Sequence, residues 1–224
     1  MVAPVRPKRT CSMRCLYHEP PTGHRPTSRY PPRVLKLRHD TAPEWVPLVE
    51  RELIAFLQDH AANERRVSRS ALTLAVQHPE RAELVDAMVH VSLEELEHFK
   101  LVYELLKARG APLAQDAPDP YMKALRKRLA DPDRSKWLLH RLVLFAVVEA
   151  RGYERFAMLA EGLSDPGLRE TYAELARCEA RHQGLYLRLA RTYYAAEEVE
   201  THLDRVLDLE AALLRELPLR PALH

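Results

Sequence analysis

The chain has 224 residues, is 46% hydrophobic and is nearly charge-balanced, with 34 Lys and Arg against 32 Asp and Glu. That length supports one sizeable core or at most two small domains, and a net charge of +2 neither demands nor excludes a nucleic-acid partner, because a local basic patch acts against a neutral background. The longest apolar run, 142–148, is too short to cross a membrane, and three Cys do not make a disulfide framework, so a reducing, cytoplasmic setting is expected.

Residues 1–40 are rich in Pro, Arg and Ser, show no helical or strand period, and carry no apolar core of signal-peptide type. They read as a disordered tail, in which Cys11, Cys15 and His18 are incidental, since their spacing fits structural zinc sites poorly. A short helix is expected from about Pro43 and Trp45. The first long helix follows to Val76 and ends at His78-Pro79, with Pro79 in the first turn of the second, which runs to about Arg109 and stops at Gly110. Residues 110–120 form a linker, and Tyr121–Leu129 a short basic helix. The third long helix spans about 134–161 and the fourth about 168–194, joined tightly through Ser164, Asp165 and Pro166. An amphipathic helix at about 197–217 closes the chain. Four long helices, with short links inside each pair and a longer crossover between pairs, predict an all-α, ferritin-like four-helix bundle over 41–194, with additional short N-terminal and C-terminal helices. Residues 195–224 are expected to pack on that bundle or on a partner.

The third helix carries the sharpest signal. Leu142–Val148 is apolar without a break and is followed by Glu149. A helix apolar all round is buried, and a buried carboxylate is costly unless it is paired or holds a metal. Helices one and two carry Glu64, then Glu95-x-x-His98; helices three and four carry Glu149, then Glu179-x-x-His182. The lone Glu precedes the motif Glu by 31 residues in one half and 30 in the other. One Glu-x-x-His means little, but residues at i and i+3 share a helix face. Four Glu and two His from facing helices are the ligand set of di-iron and di-manganese carboxylate bundles. No set of Cys offers the thiolates that favour zinc or iron–sulfur clusters. The bland alternative, solvated Glu95 and Glu179 with packed His, leaves Glu149 unexplained. Around the set, Glu94 stands either to orient a ligand His or in a surface ion pair. Tyr153 and Tyr186 border the pocket or simply pack; Cys178 reads as an inert buried thiol. His60 reads as a pocket-entrance, capping or surface residue, and Glu154 and Arg155 as partners of charges on other helices.

Four blocks, Asp59-His-Ala-Ala-Asn-Glu64, Glu94-Glu-Leu-Glu-His-Phe99, Glu149-Ala-Arg-Gly-Tyr-Glu-Arg-Phe156 and Glu179-Ala-Arg-His182, resemble the MiaE family in order and spacing over roughly 43–194. The family usually has Ser-Cys where Gly152-Tyr153 stand, Lys-Ala-Ala among the residues after Glu64, and Ser in place of Cys178. The resemblance implies a ferritin-like tRNA hydroxylase with Glu64, Glu95, His98, Glu149, Glu179 and His182 as ligands of two iron ions, and no catalytic residues beyond them. It also implies hydroxylation of the isopentenyl side chain of a methylthiolated adenosine beside the anticodon, with dioxygen as co-substrate and electrons from an external redox partner. A tRNA substrate needs phosphate contacts. Lys123, Arg126, Lys127 and Arg128, with Arg134 and Lys136 nearby, are the candidates, and Arg65, Arg66 and Arg69 form a second group. The rival readings are a di-iron bundle for peroxide scavenging or iron oxidation, and a non-catalytic helical module that binds metal structurally.

Overall fold

The computed structural model describes residues 34–115, 117–130 and 133–224, without the Arg134 side chain. Most of the expected tail, with Cys11, Cys15 and His18, lies outside these residues. In order come α1 (Trp45–Arg51), α2 (Leu53–Gln77), α3 (Ala82–Ala108), α4 (Pro120–Arg128), a 3₁₀ turn (Arg134–Lys136), α5 (Trp137–Gly162), α6 (Pro166–Tyr193) and α7 (Ala196–Glu216). Among the described residues all regular structure is helical, as the periodicity predicts.

The helix ends follow local chemistry. Asp165 caps α6, accepting from the backbone N–H groups of Gly167 (2.8 Å) and Leu168 (3.1 Å), with Pro166 at the first helical position. Asp119 caps α4 through the N–H of Met122 at 3.2 Å. Gly110 takes the left-handed conformation, φ +67°, that ends α3; its N–H donates to Lys107 O and that of Ala111 to Leu106 O, both at 3.0 Å. The expectation for Pro79 needs correcting. Arg81 N–H donates to His78 O at 3.0 Å, closing a turn with Pro79 at its second position, and α3 starts only at Ala82. The fixed φ of Pro suits that turn position as well as it suits a helix start.

The helix pairs α2·α3 and α5·α6 make the bundle, α3 and α6 meet between them, and α7 lies against α5 and α4. Helix α7 turns Val199, Leu203, Val206, Leu207 and Leu213 inward. Residues 34–40, assigned to the tail by composition, run along these helices. Leu35 N–H donates to Gln183 Oε1 at 3.0 Å, Arg38 pairs with Asp204 and Asp208, and His39 O accepts from Arg151 at 2.6 Å.

Two apolar clusters fill the interior. One holds Leu74 and Leu84 with Leu142–Val148, Leu189 and Val206; the other holds Trp45, Phe56, Val102, Phe156 and Leu175. On each of α2, α3, α5 and α6 one cluster ends and the other begins around the same level. That level carries Glu64 on α2, Glu95 and His98 on α3, Glu149 on α5, and Glu179 and His182 on α6. The apolar packing on both sides fixes the four helices and holds these polar side chains in register between them.

Candidate metal centre and the cavity that reaches it

All six residues singled out by spacing are buried, none more than 5% exposed. They form two overlapping groups. Glu64, Glu95, His98 and Glu179 each offer a ligand atom within 4.8 Å of the others, and so do Glu95, Glu149, Glu179 and His182. The shared members are the two motif carboxylates, so Glu95 and Glu179 stand between one set completed by Glu64 and His98 and another completed by Glu149 and His182.

The donor atoms fit a pair of metal ions better than they fit each other. Glu95 Oε1 and His182 Nδ1 are 2.8 Å apart without the angle of a hydrogen bond, and among the described residues neither has a hydrogen-bond partner, nor has Glu179 Oε2 or the Tyr186 hydroxyl. Ligand atoms on neighbouring positions of one ion, at about 2.1 Å from it, stand roughly 3 Å apart with their lone pairs turned to the ion. The set is oxygen and imidazole nitrogen without thiolate, which suits iron or manganese.

The crowded, buried charges shift one another's proton affinities. Burial, then the charges and contact of Glu179 and Glu95, raise the Glu149 carboxyl well above the usual carboxylate range. Burial opposes protonation of both His, but it is outweighed. Contacts with Cys178, Glu64 and Glu95 hold His98 well above the ordinary imidazole value, and Glu95, Glu179 and Glu94 do the same for His182. For Glu64 burial likewise opposes ionisation; the bonds and charge of His60, with His98 and Glu95, prevail and bring it to about 2.

The groups behind the donors are unlike in the two halves. His182 Nε2 donates to Glu94 Oε2 at 2.8 Å, which leaves Nδ1 facing the carboxylates. Of the two readings of Glu94, the orienting one is what its position matches. At the position equivalent to Glu94, one residue before the other motif Glu, stands Cys178, a buried thiol in contact with His98 and Arg181. His60 is neither at an entrance nor at the surface. It is fully buried, with Nε2 2.6 Å from Glu64 Oε1 and the Tyr172 hydroxyl 3.3 Å from Nδ1. Four residues before Glu149 the equivalent position is Phe145, which offers no hydrogen-bonding group and lines a cavity. The signal for His60 was its i−4 spacing from Glu64, which the sequence shows without showing its face.

That cavity, of about 590 Å³, reaches Glu149 on the Phe145 side. Val67, Met122, Phe145 and Val148 give it apolar walls, and Arg66, Arg69, Lys123, Arg126 and Arg141 give it positive charge. Arg69, Lys123 and Arg126 are exposed, at its mouth. The cavity thus draws one member or more from each of the two basic groups. Lys127 is exposed but does not line it, Arg128 is taken up in an ion pair with Glu216, and Lys136 pairs with Glu198 at 3.4 Å. Tyr186 is buried with its hydroxyl among the carboxylates, whereas Tyr153 is half-buried against the Trp45 cluster. Among the described residues Arg155 makes no ion pair with a charge on another helix: it donates to Ala222 O at 3.1 Å and to Thr41 Oγ1 at 3.3 Å and lies over the Trp45 ring.

Comparison with known proteins bears on what this centre belongs to. The family model described as MiaE, tRNA-(MS[2]IO[6]A)-hydroxylase, matches residues 29–224. A Pseudomonas putida tRNA 2-(methylsulfanyl)-N(6)-isopentenyladenosine(37) hydroxylase is 31% identical over 175 residues, which is 78% of this chain and 84% of that protein. The Salmonella typhimurium protein of the same name is 35% identical over 167 residues, 73% of this chain and 60% of that one. A solved Synechococcus protein with aldehyde deformylating oxygenase activity superposes with a TM-score of 0.78 at 32% identity, over 84% of this chain and 93% of that one. With a family match that runs through every helix and all six buried donors, the chain belongs to the MiaE family of tRNA hydroxylases.

Proposed function

We propose that this protein is a cytoplasmic di-iron, dioxygen-dependent monooxygenase that hydroxylates the isopentenyl side chain of the modified adenosine beside the anticodon of tRNA. The observation that carries the reading is the cavity that joins Glu149 to a basic mouth at Lys123 and Arg126. A peroxide scavenger or an iron-oxidising bundle needs no apolar chamber with cationic residues at its entrance, and a structural metal site needs no access at all.

Glu64 and His98 would hold one iron, Glu149 and His182 the other, and Glu95 and Glu179 would serve both. Iron held by these residues would supply the oxidising chemistry: with dioxygen, two electrons from an external donor and two protons, an allylic hydrogen is replaced by hydroxyl and the second oxygen atom leaves as water. The protein does the rest. Phe145, Val148, Val67 and Met122 exclude water from the prenyl group and set it beside Glu149. Glu94 holds the His182 ring by Nε2, and His60, steadied by the Tyr172 hydroxyl, holds Glu64. Replacing Glu94 by Ala is expected to weaken metal binding by about 10- to 100-fold while all six donors remain, with Glu94→Gln less affected. Titration of the metal-free protein with ferrous iron reads this directly, and an unchanged affinity would make Glu94 a surface residue.

The cations at the mouth would take the phosphates around the target nucleotide. Lys123→Ala with Arg126→Ala is expected to lower tRNA affinity and to flatten the dependence of log affinity on log salt by about 1.5–2, one charge each. Lys127→Ala with Arg128→Ala serves as the comparison, with a smaller effect because Arg128 is held by Glu216. Equal losses from the two pairs would place the RNA elsewhere on the surface. The decisive experiment supplies iron-loaded protein with dioxygen, an electron donor and tRNA that carries or lacks the isopentenyl group. Hydroxylated nucleoside from the first substrate alone is expected. An aldehyde belongs in the same experiment because of the Synechococcus neighbour; turnover of the aldehyde and not of tRNA would overturn the reading.

A further inference from the structure

The segment after α7 folds back over the bundle and is fastened at three points. Trp45 Nε1 donates to Arg220 O at 3.0 Å, Arg155 Nη1 to Ala222 O at 3.1 Å, and Leu223 N–H to Asp59 Oδ2 at 2.8 Å. Helices α1, α5 and α2 thereby fix the backbone that leads into His224. Its ring lies parallel to Tyr121, with 5.1 Å between centroids and 13° between planes. It lines the cavity that contains Glu149 and also a second cavity of about 430 Å³, so it forms the partition between them.

Both ring nitrogens of His224 are shut off from solvent, and among the described residues neither has a hydrogen-bond partner. Buried polar atoms nearly always find one. Stacking, not hydrogen bonding, orients this ring, so nothing holds its nitrogens where they are: a half-turn about Cβ–Cγ keeps the stack on Tyr121, exchanges ring nitrogens with ring carbons, and would present a donor or an acceptor to something that enters the cavity. Burial, with Arg155 and Arg151 nearby and Asp119 opposing, pushes the imidazole down to about 4, so at neutral pH it offers one N–H and one lone pair. An N6-substituted adenine offers a complement to either nitrogen: ring nitrogens that accept, and one exocyclic N–H that donates.

We infer that His224 is a substrate-contact residue that hydrogen-bonds the purine edge of the modified nucleotide while its prenyl group extends toward Glu149. The inference rests on the tRNA reading above. A ring that merely plugs the partition would serve equally well as phenylalanine; a ring that reads the base would not.

The test uses the full chain loaded with manganese, so that no turnover occurs, and an anticodon stem-loop with the prenylated adenosine or with plain adenosine. The wild-type protein is expected to prefer the modified RNA. His224→Phe keeps the stacking on Tyr121 and the filled volume, and is expected to lose about tenfold in affinity for the modified RNA, the scale of one hydrogen bond whose partner is left unmet. Affinity for the unmodified RNA should change little, because without a prenyl group nothing seats its base in the cavity, and metal content and melting temperature should not change, because the ring nitrogens bond nothing among the described residues. His224→Gln should recover part of the loss. A His224→Phe protein that discriminates as the wild type does, or that melts well below it, overturns the inference and leaves the tRNA reading standing. A wild-type protein that does not distinguish the two RNAs overturns both.

Discussion

Replacing Glu149 and Glu179 together by Ala is expected to abolish stoichiometric iron binding. Wild-type protein reconstituted with ferrous iron under nitrogen and then exposed to air should hold about two irons per chain and develop the near-ultraviolet absorption of an oxo-bridged ferric pair. The variant should do neither. The size of the effect follows from the overlap of the two donor groups. Glu179 belongs to both and Glu149 to one, so two substitutions remove two donors of four from one group and one of four from the other. The same change separates ligation from folding. In the metal-free protein Glu149 is forced to keep its proton by burial and by the charges of Glu179 and Glu95, so the pair does not stabilise the apoprotein. The two apoproteins should therefore melt within a few degrees of each other, while iron raises the melting temperature of the wild type alone. Iron must also displace the protons held by Glu149, His98 and His182, so its affinity should rise with pH. Equal iron in wild type and variant would sink the centre altogether.

The parts of this protein that could be read from the chain are those fixed by local or periodic chemistry. Asp165-Pro166 and Gly110 mark helix ends because capping and left-handed backbone are decided within a few residues. That these six side chains gather at one buried level was legible because a helix repeats its face every three or four residues and because the two halves repeat each other. What could not be read depends on contacts between distant residues. Glu94 meets His182 across 88 positions, and an exposed-looking Glu beside a ligand gives no hint which side of α3 it takes. His60 is four residues from Glu64, yet a His near a charged stretch reads equally as surface. Comparing the halves position by position would have flagged it: His60 corresponds to Phe145, and that inequality is where one side closes and the other opens to a cavity. The role of residues 34–40 was hidden for another reason. Their composition is that of a tail, and they are held by bonds to α5, α6 and α7 that no local pattern announces.

Those bonds set the second large expected effect. Arg151 is fully buried two residues past Glu149, and all five of its N–H groups are used. Nε donates to Glu210 Oε1 at 2.9 Å and Nη2 to Glu210 Oε2 at 3.1 Å; Nη2 also donates to His39 O, and Nη1 to Thr41 Oγ1 at 3.2 Å and to Glu154. Glu210, on α7, is itself fully buried and accepts from the Tyr121 hydroxyl of α4 at 3.3 Å. Burial works against the Arg151 charge, and Glu210 more than restores it. One guanidinium thus ties α5 to α7, α4 and the segment before α1. Glu210→Ala removes two of its bonds and leaves a buried cation short of its counter-charge, which is expected to cost about 3–5 kcal/mol. For a chain of this size that is a fall of roughly 10 °C in melting temperature. Pairing Arg151→Met with Glu210→Leu removes both charges at similar volume and should recover much of the loss, because the desolvation cost goes with them. Iron content should stay near wild type in both, since neither residue faces the carboxylates, but affinity for the modified RNA should fall in Glu210→Ala, because α7 carries the segment that places His224 in the cavity. A melting temperature unchanged by Glu210→Ala would mean that Glu154 and the His39 and Thr41 contacts alone hold Arg151, and that α7 is fastened by its apolar face.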